Sequence, residues 1–180
     1  MNKTRMEAFS DGVIAIVITI MVLELKVPHG AAADDLMPVL PVGLRYLLSF
    51  VYVGMYWINH HYLLEEAGRI GARAMWANLH LLFWISLIPF VTAWAGEHPF
   101  EATPVALYGA VLLMCSLSFL VLGAALRVQR RDSWRSTKNL VSIALYVLAI
   151  ALSFWYAPAA SGPHLVVAAL WLRPPAARML

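Results

Sequence analysis

The chain has 180 residues, of which 62% are hydrophobic and 13% charged, against about 45–50% and about 25% in a typical soluble domain. That balance excludes a soluble fold and describes an integral membrane protein. The net charge of +3 does not point to nucleic acid, because the basic residues stand in short segments between apolar runs, where they set orientation in a bilayer.

The first element runs from Arg5 to Lys26. Its lead-in carries Arg5, Glu7, Ser10 and Asp11, and from Gly12 to Leu23 its only polar side chain is Thr19. As a helix it covers roughly 32 Å, close to the bilayer hydrocarbon thickness of about 30 Å. The basic start Met1–Arg5 is like the head of a signal peptide, but the run that follows is too long and lacks a small-residue cleavage site, so the helix is expected to be retained. Gly12, Ile16, Thr19, Ile20 and Leu23 share one face of a 3.6-residue helix. Such a stripe can pack on a neighbouring helix, with Thr19 bonding back to a carbonyl one turn earlier. Alternatively it can line a narrow pore, with Thr19 facing ions and the aliphatic side chains forming a dewetted constriction.

Pro28 and the small, acidic stretch His29–Asp35 form a loop. A second apolar run covers about Val42 to Leu64 and ends on Asn59, His60 and His61, with Arg45 near its start expected to snorkel toward the interface. A third run, Ala74 to Trp94, contains Asn78, His80 and Pro89, and the proline is expected to kink it. The fourth run is Pro104 to Leu126, with Cys115, the only cysteine, as a small side chain facing lipid or protein. The basic segment Arg127–Lys138 follows, then a fifth run, Asn139 to Tyr156. The sixth, His164 to Leu172, is short unless the preceding small residues join it.

Orientation follows from the basic residues. With the amino terminus inside, Lys3, Arg5, Arg69, Arg73, Arg127, Arg130, Arg131, Arg135, Lys138, Arg173 and Arg178 fall inside, eleven of the 13 basic residues, and Lys26 and Arg45 fall outside. An even number of crossings is needed to return the tail. The expected fold is therefore an all-α integral membrane protein with six transmembrane helices per chain, both termini cytoplasmic, as one domain over residues 1–180. It sits in the cell membrane as a multi-pass protein.

This topology brings polar side chains to similar depth: Asp11 on the first helix, Asn59, His60 and His61 at the end of the second, Asn78 and His80 at the start of the third. Arg5 and Asp11 are about 9 Å apart along the axis and on different faces, so each needs a partner elsewhere. They are expected to bond to the second and third helices or to an adjacent subunit, fixing the first helix. No metal site is expected: adjacent His60 and His61 diverge by about 100°, and no zinc-ligand spacing occurs. A histidine beside Asp11 would sense pH. Neither a P-loop, a GxSxG nor a dinucleotide fingerprint occurs, so no enzyme and no cofactor are expected. The TVGYG potassium filter is absent too.

Arg5-x-x-x-Phe9-Ser10-Asp11 at the head of the first membrane helix resembles the RxxxFSD signature of the transmembrane protein 175 family of endolysosomal and prokaryotic potassium channels. The resemblance implies a six-helix unit that assembles as a homotetramer, with the first helix of each subunit lining the pore. It implies a constriction at Ile16, a threonine layer for selectivity at Thr19, and further aliphatic pore positions at Ile20 and Leu23. The expected function is thus a potassium-selective leak channel whose partners are further copies of itself, the lipid bilayer and monovalent cations, with permeant potassium as cargo. A proton-coupled secondary transporter using Asp11 and the nearby histidines is the alternative, although neither an inverted repeat nor a paired set of broken helices is visible. A scaffold without transport is the third.

Overall fold

The computed structural model describes residues 3–68, 70–126 and 133–172. Arg69 and the basic residues Arg127, Arg130, Arg131, Arg173 and Arg178, on which the orientation count leans, lie outside them, as does the side chain of Arg135. The described residues form α1 (Lys3–Leu23), α2 (Leu40–Glu65), α3 (Ala72–Ser86), α4 (Ile88–Glu97), α5 (Ala102–Ala125), α6 (Ser133–Tyr156) and α7 (Ser161–Leu172). Short 3-10 segments precede α2 (Ala33–Val39) and join α6 to α7 (Ala157–Ala160). Prolines mark the starts: Pro41 and Pro89 occupy the first turns of α2 and α4, where a missing N–H leaves nothing unsatisfied.

Among the described residues, five continuous helical stretches are long and apolar enough to cross a membrane: Lys3–Leu23, Ala33–Glu65, Ala72–Glu97, Ala102–Ala125 and Thr137–Leu172. The third is α3 and α4 in series. At Leu87 the amide reaches back only three residues, to the Trp84 carbonyl at 3.2 Å, and Pro89 then opens α4, so the expected kink separates two helices. The fifth stretch joins the fifth and sixth apolar runs. Trp171 Nε1 donates to Ser142 Oγ at 2.9 Å and Lys138 Nζ to the Leu170 carbonyl at 2.7 Å, so the end of α7 lies beside the start of α6. The two are antiparallel arms of one hairpin, turned at Pro158. At 12 residues α7 rises about 18 Å, less than the bilayer thickness of about 30 Å.

α5 forms the centre and packs on α3, α4 and α6, whereas α1 packs on α2, α3 and α4. Of the most apolar window of α5, 61% is buried inside the chain, against 28% for α1. The first helix therefore keeps a large apolar surface for contacts outside its own chain. α4 meets the start of α2 closely: a Cβ on Gly96 would stand 2.9 Å from Val42 Cα.

In the single chain Arg45 does not extend freely into water as a snorkelling side chain would. It is 8% exposed, with its guanidinium carbon 4.9 Å from the centroid of the buried Tyr108 ring. The aromatic face of α5 offers a cation–π partner, and the side chain turns inward to meet it instead of extending to water. Cys115 is fully buried in the α5 core.

Candidate functional site

α1 presents two faces of different chemistry. Met6, Ser10, Ile14, Val17 and Met21 are buried, spaced by four, four, three and four residues as one helical stripe requires. On the other side Gly12 and Thr19 are exposed, together with Phe9 (54%), Ile16 (59%), Ile20 (42%) and Leu23 (79%). Thr19 Oγ1 donates to the Ile16 carbonyl at 2.9 Å, which fixes the hydroxyl and commits its proton. Both oxygen lone pairs remain available on the exposed face.

Polar contacts hold this helix in orientation at its amino-terminal end. Ser10 Oγ donates to the Met6 carbonyl (2.8 Å) and accepts from Asn78 Nδ2 (2.9 Å), while Asn78 Oδ1 lies 2.7 Å from His60 Nε2. All three residues are buried. The amide oxygen can only accept, so His60 Nε2 carries the proton, and Nδ1, which has no partner among the described residues, is the bare nitrogen. Nearby, Asp11 Oδ1 accepts from Trp57 Nε1 at 3.0 Å and Glu7 Oε1 accepts from His61 Nδ1 at 2.9 Å. Glu7 and Asp11 are four apart on α1, and Trp57 and His61 are four apart on the antiparallel α2, so the two pairs fall in register. Trp57 and Glu7 are the partners that the sequence reading missed, and this matched spacing was the signal that could have found them.

The remaining residues lie elsewhere. Arg5 is exposed and makes no hydrogen bond or ion pair with another described residue. Asn59 donates to the Met55 carbonyl at 2.7 Å and borders a cavity of about 30 Å³ shared with Tyr52, Asn139 and Tyr146. His80 accepts from Trp84 Nε1 (3.1 Å) on Nε2, so its Nδ1 is the donor to Ser118 Oγ (3.0 Å), bridging α3 to α5. His60, His61 and His80 thus turn to three separate partners, and none lies in hydrogen-bond contact with Asp11. Among the described residues no three metal-ligating side chains are gathered.

At the other end Lys26 pairs with Glu97 of α4. The hydrogen bond and charge of Glu97 hold the Lys26 ammonium above its ordinary value of 10.5. Between this pair and Pro89 a groove of about 700 Å³ separates α1 from α4, lined by Ile16 and Ile20 on one side and Phe90 and Trp94 on the other.

The family model for the endosomal/lysosomal potassium channel TMEM175 matches residues 5–89, the segment that carries this helix and its partners. A potassium channel of Chryseobacterium sp. (strain P1-3) is 47% identical over 181 residues, covering 97% of this chain and 94% of that relative. The endosomal/lysosomal proton channel TMEM175 of Gallus gallus is 40% identical over 75 residues, 35% of this chain and 15% of that protein. The crystal structure of a lysosomal potassium-selective channel TMEM175 homolog from Chamaesiphon minutus matches with a TM-score of 0.86 at 29% identity, covering 94% of this chain and 96% of that one. With the signature residues, the helical membrane fold and these likenesses together, the chain is a member of the TMEM175 potassium channel family.

Proposed function

We propose that the protein is a potassium-selective leak channel of the cell membrane, built from four copies around a common axis. Each chain crosses six times with both termini cytoplasmic, the α6–α7 hairpin supplying the last two passages. α1 of every copy lines the path. Ile16 forms the narrowest, dewetted ring, with Ile20 and Leu23 beyond it, and Thr19 hydroxyl oxygens replace part of the hydration shell of a passing potassium ion. No resident cofactor is needed, because the ion is cargo.

One observation carries this reading. The face of α1 with Gly12, Ile16, Thr19, Ile20 and Leu23 is exposed in the single chain, while the opposite face is anchored by the buried Ser10–Asn78–His60 bonds. A single helix cannot enclose a channel, so the mechanism requires closed symmetry between copies. The Thr19 bond to the Ile16 carbonyl, which a packing stripe would also show, is compatible with the role given to its oxygen, whose lone pairs are left to accept a cation.

The proton-coupled alternative needs Asp11 and the histidines in one relay. Asp11 instead accepts from an indole, which can only donate, and this favours the channel. Reconstitution in planar bilayers tests both. Ile16→Asn should wet the ring and raise unitary conductance several-fold, and Thr19→Val should lower the preference for potassium over sodium. Unchanged permeation in both variants, or flux driven only by a proton gradient, removes the proposed pore.

A further inference from the structure

Away from the α1 face, a groove of about 730 Å³ runs between α2 and α7, walled by Leu44, Leu48 and Val51 on one side and Leu165, Ala169 and Leu172 on the other. Its rim is formed by Pro41, Pro99 and Ser161, at the end of the bundle that carries Lys26 and Glu97. Tyr52 donates to the His164 carbonyl at 2.6 Å and clamps α7 to α2 along the inner edge, leaving the outer edge open.

Hydrocarbon alone would satisfy these walls, but it would not satisfy Arg45. This is the only charged residue in the described lining, it is 92% buried by its 8% exposure, and its enclosed Nη1 has no hydrogen-bond partner among the described residues. No described carboxylate pairs with it. The Tyr108 hydroxyl, which Arg45 also approaches, is neutral and is shared with Ser49 at 3.0 Å, and Ser49 accepts from Thr92 at 2.7 Å. Both ring nitrogens of the fully buried His164 are also without partners among the described residues. A cation held in apolar surroundings without an anion is strongly unfavourable. Arg45 lies five residues into α2, about 7.5 Å from its start, and the apolar walls continue beyond it toward the middle of the bundle. Positive charge near the rim with a hydrocarbon trough below it matches the form of a phospholipid.

We propose that this groove holds one anionic phospholipid per chain, its phosphate paired with Arg45 and an acyl chain laid between α2 and α7. The phosphate supplies the negative charge that no described carboxylate gives Arg45. The site is independent of the proposed pore, so failure of either reading leaves the other standing.

The test titrates delipidated, detergent-solubilised protein with phosphatidylglycerol, or with a diacylglycerol of the same chains, by native mass spectrometry. The native protein should retain phosphatidylglycerol about tenfold more tightly than diacylglycerol, the effect of one charge-assisted contact. Arg45→Gln should erase that preference and Arg45→Lys should keep part of it. Ala169→Trp, which fills the exposed side of the groove and leaves Arg45 in place, should weaken both lipids and serves if Arg45→Gln does not fold. Equal binding of the two lipids to the native protein, or phosphatidylglycerol binding unchanged in Arg45→Gln or in Ala169→Trp, overturns the proposal. So does loss of assembly rather than of lipid in Ala169→Trp, which would assign the groove to a neighbouring copy.

Discussion

Asn78 serves two buried neighbours at once, giving a proton to Ser10 and taking one from His60. Asn78→Ala strands the His60 N–H in an apolar interior, and each buried group left unmatched costs about 1–3 kcal/mol. The midpoint of thermal unfolding in detergent should fall accordingly; a midpoint equal to that of the native protein would show that water takes the place of the amide. The identities of these polar residues were plain in the sequence, and so was their common depth. Their pairing was not. Asn59 and His80 stand beside the others in the chain, yet a turn of about 100° per residue aims Asn59 at its own backbone and His80 at Ser118 on α5. The contact of Arg45 with Tyr108 was hidden for the same reason: the tyrosine is 63 positions away, and no local pattern announces it.

At the scale of elements, hydrophobic run length places α1, α2, α5 and α7 to within a few residues, because apolar runs between charged segments have few alternatives in a bilayer. α6 instead starts at Ser133, inside the segment expected as a loop. Breaks within runs were harder to see. Pro89 signalled the break between α3 and α4, since its lost N–H has to fall in a first turn. The reversal after Tyr156 showed only as a small-residue stretch around Pro158, and α7, at 12 residues, stays as short as its apolar run. Close packing gives a further test. The start of α2 leaves no room beside Gly96, and the obstructing atom is backbone, which cannot swing aside. Gly96→Ala should therefore destabilise the α2–α4 contact by about 1–3 kcal/mol. Chemical denaturation of the solubilised protein measures this, and an unchanged midpoint would mean that the helices separate without loss.

For the whole molecule, the distribution of exposed apolar surface matters most. α1, α2 and the α6–α7 stretch are largely uncovered while α5 is enclosed, and the assembly proposed above uses the α1 part of that surface. Light scattering of the solubilised protein should give four times the mass of the 20.0 kDa chain after correction for detergent. A monomer or dimer would remove the axial path, since too few first helices would remain to enclose it. Family membership was legible in four residues, Arg5, Phe9, Ser10 and Asp11, because their position at the head of a membrane helix is as restrictive as their identity. Assembly was legible only through that resemblance, because nothing in one chain's periodicity counts its neighbours.

The two ends of α1 are secured unequally. Buried bonds at Ser10 are shielded from solvent ions, whereas the Lys26–Glu97 pair is exposed and is screened as ionic strength rises. With Lys26 raised above 10.5, the charge contribution of the pair is complete below that value and is lost as pH climbs through the elevated one. The helix therefore behaves as a lever with its fulcrum at Ser10. Ile16 lies about 9 Å from that fulcrum and Leu23 about 20 Å, so any tilt displaces Leu23 roughly twice as far. Concentrated salt should loosen spin labels at position 23 about twice as much as those at position 16, and equal changes at the two positions would place the fulcrum elsewhere.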